Sequence, residues 1–382
     1  MIPCLLPLTA VIPVPAAKGL VALPGGDLLG VVARDEAGKR VLRSIRGRLG
    51  GKWTTGGIAA TRELGTDIGD GNVIRLLDGR LWVVFRDNHK GSFAIRTSES
   101  KDGGRTWREH STVRENKKGL WAPTLFRTRA DRILCVYDDE GVSPKPHHQW
   151  LMGRFWEGKG WGKPFVVSKA PKGQLSRDGM AWLAETSDGR LLCAFEGVTE
   201  RAPYASTLRT VESSDGGRTW GGRRDLFRPK GMHMAVSPSL AALPDGTLVC
   251  AFTTDEDRAT PDVAGSPPDR FNMDVKRVRS RDGGRTWSAP ETVFDETHRC
   301  YMPSLVVVEG RLLVTWVDFA RGLLGRLFEP PLGSAPETFG TLRARFQREL
   351  GEEEEGVRID HLQIGPLNFG EVGHFPNAFG TP

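Results

Sequence analysis

The sequence predicts an all-β protein, a six-bladed β-propeller of four-stranded antiparallel blades, with seven blades as the alternative count. Three observations favour this class. The octapeptide Ser-x-Asp-Gly-Gly-Arg-Thr-Trp occurs three times, an apolar segment after a tight turn occurs six times, and 47 glycines with 25 prolines supply many turns. The units recur roughly every 50–60 residues, which suits one propeller blade.

The apolar segments fit the second strand of each blade. They lie at 25–34, 78–86, 131–138, 188–196, 245–253 and 309–317. Each is apolar on both faces and ends in a polar residue, as expected for a strand that is covered on both sides. A shorter apolar segment precedes each one across a turn, which is Asp-Gly in three of the six units and is typical of a β-hairpin. The repeating unit is therefore an inner hairpin, a third strand, the octapeptide and a fourth strand.

The three octapeptides, at 100–107, 213–220 and 280–287, are predicted to be structural turns. The Asp can accept hydrogen bonds from turn amides, the glycines permit positive φ, and the Trp can fill space between blades. Such a turn joins the third strand to the fourth, on the face opposite the loops that leave the second strand. The residues given this structural role are Asp102, Trp107, Asp215, Trp220, Asp282 and Trp287.

The composition limits the classes of partner. Lys and Arg number 53 against 47 Asp and Glu, giving a net charge of +6 and a pI near 9.1. This mild excess favours acidic small molecules or glycans, but no basic run exceeds three residues, so no nucleic-acid partner is expected. No stretch approaches the ~18 apolar residues of a membrane span. No CxxC or HxxxH spacing occurs, so no metal site is expected. We also expect a monomer that needs no cofactor.

The chain divides into a propeller at 1–330 and a remainder at 331–382. The remainder contains the charge run "RELGEEEEG" and a Gly- and Pro-rich end. We expect it to hold a closing strand and an irregular tail. The first residues have a short apolar region without a basic n-region, so the sequence alone leaves the compartment open.

Candidate functional residues follow from propeller geometry. The innermost strand of a blade starts at the face where the second strand ends, so side chains at these two places converge on the central funnel. Those positions supply Asp70, Arg86, Asp87, His89, Arg177, Asp178, Glu196, His233, Arg299 and Tyr301. Trp121 in "GLWAP" and the adjacent His147 and His148 in "KPHHQW" complete the predicted substrate-binding set. A bowl rich in Arg and carboxylates suits an anionic sugar.

Each candidate also has a structural interpretation. Asp70 and Asp178 precede glycines and could cap turns, and Arg86 and Arg177 could hold loops through ion pairs. Adjacent histidines diverge on an extended segment, which argues against a shared metal. Glu196 ends an apolar strand, where a lone carboxylate favours a functional role.

The octapeptide resembles the Asp-box of the sialidase-like propellers, and the resemblance extends over about 19–330. The segments "FWEGKGWGKP" and "LGGKWTTGG" look like eroded copies that retain Trp161 and Trp53. This resemblance implies a carbohydrate-active propeller and favours an extracellular location. The superfamily uses several chemistries on one scaffold, so it leaves the reaction open.

Three branches of the superfamily can be compared with the sequence. Sialidases use a Tyr nucleophile and an Arg triad, for which Tyr301, Arg299 and Arg177 are candidates, but the "FRIP" segment is absent. Exo-arabinanases share segments resembling "GDGNVIRL", "FRDNH", "LWAP", "SRDGM" and "CAFEG", and Glu196 matches their nucleophile. Their acid/base Glu lies in a Trp-Glu-Pro segment, which here reads Trp-Ala122-Pro.

The third branch, the L-rhamnose–glucuronate lyases, cleaves by β-elimination and does not need that Glu. The expectation favoured by the sequence is such a lyase, with His89 as base and acid, Arg86 and Arg177 neutralising the uronate, and Glu196 orienting. An exo-glycosidase with Glu196 or Tyr301 as nucleophile is the alternative. An inactive glycan-binding propeller is the third possibility.

Overall fold

The computed structural model describes residues 11–14, 18–143, 148–172, 176–199, 205–259, 272–318 and 321–328. These residues form 24 strands and no helix, arranged as six four-stranded antiparallel sheets. The predicted six-bladed propeller is confirmed. No helix in the described ranges is long and apolar enough to cross a membrane.

The blades follow one another along the chain, each with its innermost strand first. Blades 1 to 3 consist of β2 (Val21–Ala22), β3 (Leu28–Glu36), β4 (Lys39–Gly47), β5 (Trp53–Glu63); β6 (Asp67–Arg75), β7 (Leu81–His89), β8 (Ser92–Ser100), β9 (Arg108–Asn116); and β10 (Leu120–Arg127), β11 (Ile133–Asp139), β12 (Trp150–Phe155), β13 (Phe165–Ser168). Blades 4 to 6 consist of β14 (Ser176–Glu185), β15 (Leu191–Thr199), β16 (Ser206–Ser213), β17 (Gly221–Phe227); β18 (Ala235–Ala242), β19 (Leu248–Thr254), β20 (Asp274–Ser280), β21 (Glu291–Phe294); and β22 (Cys300–Val308), β23 (Arg311–Asp318), β24 (Gly322–Phe328), β1 (Val11–Pro13).

The sixth blade is completed by the N-terminal strand. β1 pairs antiparallel with β24, with Val11 opposite Arg326, and the Val14 amide extends the pairing to the Leu323 carbonyl at 2.9 Å. The ring is thus closed by pairing the two ends of the propeller within one blade. The closing strand predicted within 331–382 lies outside the described residues.

The second strand of each blade is buried on both faces because it lies between two neighbouring blades. In β11, Leu134 and Val136 pack toward blade 4, while Cys135 and Tyr137 pack toward blade 2. This alternation explains the continuous apolar runs of the sequence. The four described cysteines are buried free thiols, and three of them occupy this same strand position in blades 3, 4 and 5.

The octapeptides form closed hydrogen-bonded turns between third and fourth strands. In the first copy, Asp102 accepts bonds from the Thr106 amide at 2.9 Å and the Thr106 hydroxyl at 2.7 Å. These bonds hold the pKa of Asp102 down to about 2. The Ser100 hydroxyl donates to Asp102 at 2.9 Å, and the Trp107 indole donates to the Gly104 carbonyl at 3.1 Å. The copies around Asp215 and Asp282 repeat the pattern of bonds to the Asp carboxylate.

The octapeptide turns of blades 2, 4 and 5 each also contact the blade before them. The Ser44 hydroxyl of blade 1 donates to the Gly104 carbonyl of the blade 2 turn at 2.7 Å. The Arg132 side chain of blade 3 donates to the Gly216 carbonyl of the blade 4 turn at 2.8 Å. In the eroded copy of blade 3, the Trp161 indole still donates to the Ser111 hydroxyl of blade 2 at 2.9 Å. The turns are therefore contacts between blades on the face opposite the funnel.

A β-bulge interrupts the innermost strand of five blades at the same place. The pairing shifts register between Gly69 and Asn72 in blade 2, and equivalent shifts occur in blades 3 to 6. The residue after the last regular pair has positive φ in every case, although none is glycine: Asp70, Ala122, Met180, Ser237 and Met302. Such a conformation costs of order 1 kcal/mol per residue or more, so its repetition marks a built feature of the funnel.

Replacement of Asp282 by Ala tests the structural role of the octapeptide. Asp282 accepts bonds from the Ser280 hydroxyl, the Arg285 amide and both the amide and hydroxyl of Thr286. Losing them should lower the free energy of unfolding by about 1–3 kcal/mol, measured by urea denaturation. The exposed neighbour Arg281→Ala is the control and should change it by less than about 0.5 kcal/mol. Equal effects of the two variants would contradict the assignment.

Candidate active site

The blades converge on a narrow cavity at the funnel. Lys18, Met180, Ser237 and Met302, from blades 1, 4, 5 and 6, line one partly open space of about 10 Å³. Three of these residues are the positive-φ residues of their bulges. The bulges therefore direct side chains from separate blades to the propeller axis, at the end where the innermost strands begin. The cavity is large enough for one water molecule, so it forms the floor of the funnel.

Glu196 lies beside this floor, at the seam between blades 4 and 5. It pairs with Gly179 in the inner hairpin and is 6% exposed. Its carboxylate accepts a bond from the Ser237 amide, the bulge residue of blade 5, at 2.8 Å. Burial raises the pKa of Glu196, while the Arg177 guanidinium and the Ser237 amide oppose the increase. Glu196 is thus a carboxyl group poised to titrate at higher pH than an exposed glutamate.

Asp138 occupies the equivalent position one blade earlier and was missed by the sequence analysis. It lies opposite Trp121, as Glu196 lies opposite Gly179. Its Oδ2 accepts bonds from the Met180 amide at 3.2 Å and the Gln149 side chain at 3.0 Å. Its Oδ1 is buried and has no hydrogen-bond partner.

The environment of Asp138 favours its protonated form. The side chain is 2% exposed, and burial, together with the nearby Glu196 charge, raises its pKa well above the usual value. A neutral carboxyl can leave its hydroxyl unpaired at lower cost than a carboxylate can leave a charged oxygen. The segment "YDDEG" carried a usable signal, because its register in the repeat matches that of Glu196.

Tyr301 completes this group from blade 6. Its ring packs on Met234, Val236 and Met273. Burial raises the pKa of Tyr301, and the neighbouring Glu196 charge adds to the increase. The phenol is therefore protonated at neutral pH, and a group that accepts its proton would have to be close by. Glu196 is an acidic group whose charge acts on the Tyr301 phenol.

Arg177 is the cation shared by the group. Its charge lowers the pKa of Asp138, Glu196 and Tyr301 against the larger effect of burial. The three sequence-predicted residues Arg177, Glu196 and Tyr301 are therefore brought together. We refer to Asp138, Arg177, Glu196 and Tyr301 as the axial cluster.

Asp70 and Arg86 form a separate pair across the funnel. Asp70 contacts Arg86 and lies 3.6 Å from the Lys18 ammonium, and it accepts a bond from the Ala122 amide. Burial alone would raise its pKa, but Arg86 and Lys18 hold the pKa to about 2. Arg86 also donates to both oxygens of Asp67, at 2.9 and 2.8 Å. The carboxylate is permanently charged, and the guanidinium is largely occupied by protein carboxylates.

Trp121 packs against this pair at the funnel. Its ring lies 5.7 Å from the Arg86 guanidinium carbon, and its indole donates to Glu140 at 2.8 Å. It is partly exposed. A partly exposed aromatic ring next to polar groups is a common sugar-facing surface, so the structure leaves Trp121 available for substrate contact.

Asp87 and Asp178, both predicted to bind substrate, are held in ion pairs between strands. Asp87 contacts Arg62 of blade 1 at 2.7 Å and Arg96 of its own blade at 2.8 Å. Asp178 is fully buried, pairs with Arg223 and accepts a bond from the Ser168 hydroxyl of blade 3 at 2.7 Å. The structure therefore places both carboxylates in contacts that join blades or strands, which favours the structural interpretation for Asp178.

The predicted histidines lie in several different environments. The His89 imidazole contacts the Thr66 hydroxyl at 3.1 Å. His233 lies 3.4 Å from Asp255 and is mostly buried. His148 is buried, and His147 falls outside the described residues. No described contact joins His89 to the axial cluster.

Arg299 immediately precedes β22 and lies three residues before the bulge residue Met302, as Arg177 lies three residues before Met180. Its amide donates to the Thr297 hydroxyl, and its buried Nε has no hydrogen-bond partner. Within the described ranges, no group of three or more metal-ligating side chains occurs.

The pH dependence of stability tests the protonation of Asp138. A carboxyl whose pKa is higher in the folded state than in the unfolded state stabilises the fold at low pH and loses that contribution as the pH rises. The Asp138→Asn variant keeps the acceptor for Met180 and Gln149 and cannot ionise. The free energy of unfolding of Asp138→Asn minus that of the wild type should therefore increase by about 1 kcal/mol or more from pH 4 to pH 8.

The control for this experiment is the exposed turn residue Asp131, for which Asp131→Asn should give a curve parallel to that of the wild type. Both proteins would be unfolded in urea across the same pH series. Parallel curves for Asp138→Asn and the wild type would show an ordinary Asp138 pKa and contradict the assignment.

Comparison of this structure with solved structures identifies similar folds. No protein-family model and no curated protein sequence matches the chain. The GH93 α-L-arabinofuranosidase of Fusarium graminearum, with arabinobiose, is 15% identical with a TM-score of 0.61, covering 81% of this chain and 91% of that one. The Penicillium chrysogenum α-L-arabinanase with arabinobiose is 16% identical with a TM-score of 0.59, covering 84% and 97%.

The NanB sialidase of Streptococcus pneumoniae is 11% identical, with a TM-score of 0.57 over 81% of this chain and 68% of that one. At these identities the similarity concerns the fold. The chain has the six-bladed architecture that the sialidase-like propellers share.

Proposed function

We propose that the protein is a glycoside hydrolase that removes a terminal sugar from an acidic glycan at the axial cluster. The proposal rests on one observation. Two buried carboxyl groups, Asp138 and Glu196, and the Tyr301 phenol all lie within the electrostatic influence of the Arg177 guanidinium. Buried, mutually coupled acids at a funnel are characteristic of active sites. The similar solved structures named arabinofuranosidase, arabinanase and sialidase support the choice of glycan chemistry by analogy of fold.

Hydrolysis of a glycoside needs one group to protonate the leaving oxygen and one anionic group to attack or activate the attacking group. Asp138 suits the first role, because its pKa is raised furthest and its Oδ1 is unpaired. Glu196 suits the second role, because the Arg177 guanidinium and the Ser237 amide offset part of the increase that burial causes in its pKa. The two environments thus divide the roles of acid and base between two carboxyls.

Asp138 also offers a replacement for the acid/base Glu that exo-arabinanases have and that this chain lacks. That family has a Glu where this chain has Ala122, which cannot donate a proton. Asp138 pairs with Trp121, the residue immediately before Ala122. A carboxyl group from the second strand would then replace the one missing from the innermost strand.

The cations near the axis support an anionic substrate. The Arg177 charge lowers the pKa of all three acidic groups of the axial cluster. The Arg299 guanidinium has an Nε without a hydrogen-bond partner. A carboxylate on the terminal sugar would find charge-assisted donors there. We expect Arg299→Met to raise the KM for a uronate- or sialate-terminated substrate more than for its neutral counterpart.

The lyase mechanism receives less support from the contacts of its proposed residues. It assigns His89 as the base, but the described contact of His89 is with Thr66, away from the axial cluster. It assigns Arg86 to the substrate carboxylate, but Arg86 is paired with Asp67 and Asp70. Product analysis separates the reactions, because elimination gives an unsaturated uronate that absorbs near 235 nm and hydrolysis does not.

The assignment of Asp138 as proton donor is tested with two leaving groups. Asp138→Asn should lower kcat/KM by about 100-fold or more on an alkyl glycoside or natural linkage, because its leaving oxygen needs a proton. The loss should be below about tenfold on a nitrophenyl glycoside of the same sugar, which leaves without one. Exposed Asp131→Asn is the control. Equal losses on both substrates would show that Asp138 is not the acid.

The attacking group is tested with Glu196→Gln and Tyr301→Phe. Glu196→Gln keeps the acceptor for the Ser237 amide and should lower kcat by about 1000-fold or more. Tyr301→Phe should cause a similar loss if the phenol attacks the sugar, and a loss of about tenfold or less if Glu196 attacks directly. Retention of activity in Glu196→Gln would contradict the proposal. Binding of acidic glycans without any turnover would support the inactive glycan-binding propeller instead.

A further inference from the structure

The turn between β4 and β5 in blade 1 differs in charge from the octapeptide turns. Gly47 pairs with Leu28 as Ser100 pairs with Leu81, so the turn starts at the equivalent place. It reads Arg48-Leu-Gly-Gly-Lys52 where blades 2, 4 and 5 have the Asp and Thr of the octapeptide. The carboxylate that accepts the turn amides elsewhere is absent from this turn, and two cations stand in it.

An open cavity of about 290 Å³ lies at this turn. Its lining includes the three cations Arg46, Arg48 and Lys52, and one carboxylate, Asp27. Asp27 contacts Arg48 at 2.6 Å and Arg46 at 2.6 Å, and these bonds lower its pKa, so it is ionised at neutral pH. The lining therefore carries a net charge of +3 − 1 = +2.

Glu309, an acidic group outside the lining, offsets only part of this excess. Glu309 of blade 6 influences Arg48 electrostatically, but it is 62% exposed and lies 3.7 Å from Arg311. No ion pair is described for Lys52, which is exposed. The Asp27 carboxylate therefore pairs with the guanidinium groups of both Arg46 and Arg48, and the Lys52 ammonium contributes a third positive charge. A site of this kind attracts an oxyanion.

We infer that this cavity is a second, non-catalytic binding site for the carboxylate or sulfate groups of an acidic glycan, an inference that rests on the proposed function for the choice of a glycan. The cavity is at the end of the propeller where the third strands finish, opposite the funnel. Its volume is near the lower limit for small-molecule sites, which suits one acidic sugar unit rather than a nucleic-acid backbone. Occupation of this site would hold a long polymer near the enzyme and leave the funnel open.

Affinity gel electrophoresis tests the inference with polygalacturonate in the gel, and with neutral arabinan and a polymer-free gel as references. The wild type should be retarded by polygalacturonate, and Lys52→Glu should weaken the apparent affinity by about fivefold or more. The control is Lys101→Glu, which makes the same charge change in the intact turn of blade 2. Added NaCl should reduce the retardation, because the cavity is exposed.

Equal retardation of the two variants, or equal retardation of the wild type by arabinan and polygalacturonate, would overturn the inference. The kcat/KM on a small glycoside should be the same in Lys52→Glu as in the wild type, and a large decrease would also overturn a non-catalytic role. Failure of the proposed function would appear separately, as absence of turnover in every variant while the charge-specific retardation persists.

Discussion

The structure depends on a contact that recurs at the seams between blades: a buried carboxyl group accepts the backbone amide of the bulge in the following blade. Asp70 accepts the Ala122 amide, Asp138 the Met180 amide and Glu196 the Ser237 amide. Each bulge leaves an amide outside the regular ladder, and an unpaired buried amide would cost about 1–3 kcal/mol. The same contact places three acids around the axis, so the requirement of the fold and the chemistry of the funnel have a common origin.

The three acids have different charge states because their other neighbours differ. Asp70 has Arg86 and Lys18 beside it and stays ionised, whereas Asp138 has an uncharged amide and a nearby Glu196, and the charges of Arg177 and Lys18 do not outweigh its burial. Glu196 is intermediate, since Arg177 partly offsets its burial. One repeated backbone contact is therefore combined with blade-specific cations. The three carboxyl groups therefore differ in pKa although the six blades repeat one architecture. Such a difference in pKa separates a proton donor from a nucleophile.

The sequence predicted the features that repeat and was weaker on the features that do not. The second strands, the hairpins and the octapeptide turns follow from local patterns, so the six blades were predictable. Arg177, Glu196 and Tyr301 were predicted to meet because strand ends converge in any propeller. Asp138 was missed because its burial depends on Gln149 and the Met180 bulge, which come from distant parts of the chain. The ion pairs of Asp87 and Asp178 depend in the same way on Arg62 and Arg223.

The central claim is that Asp138 is protonated beside an ionised Glu196 at neutral pH. The most direct measurement is a titration of the carboxyl carbons by nuclear magnetic resonance in protein labelled at Asp and Glu, with Asp138→Asn and Glu196→Gln to assign the two signals. The account predicts that the Asp138 signal titrates above the Glu196 signal and remains that of a neutral carboxyl at pH 7. Two carboxylates with the ordinary pKa values of about 4 would contradict it.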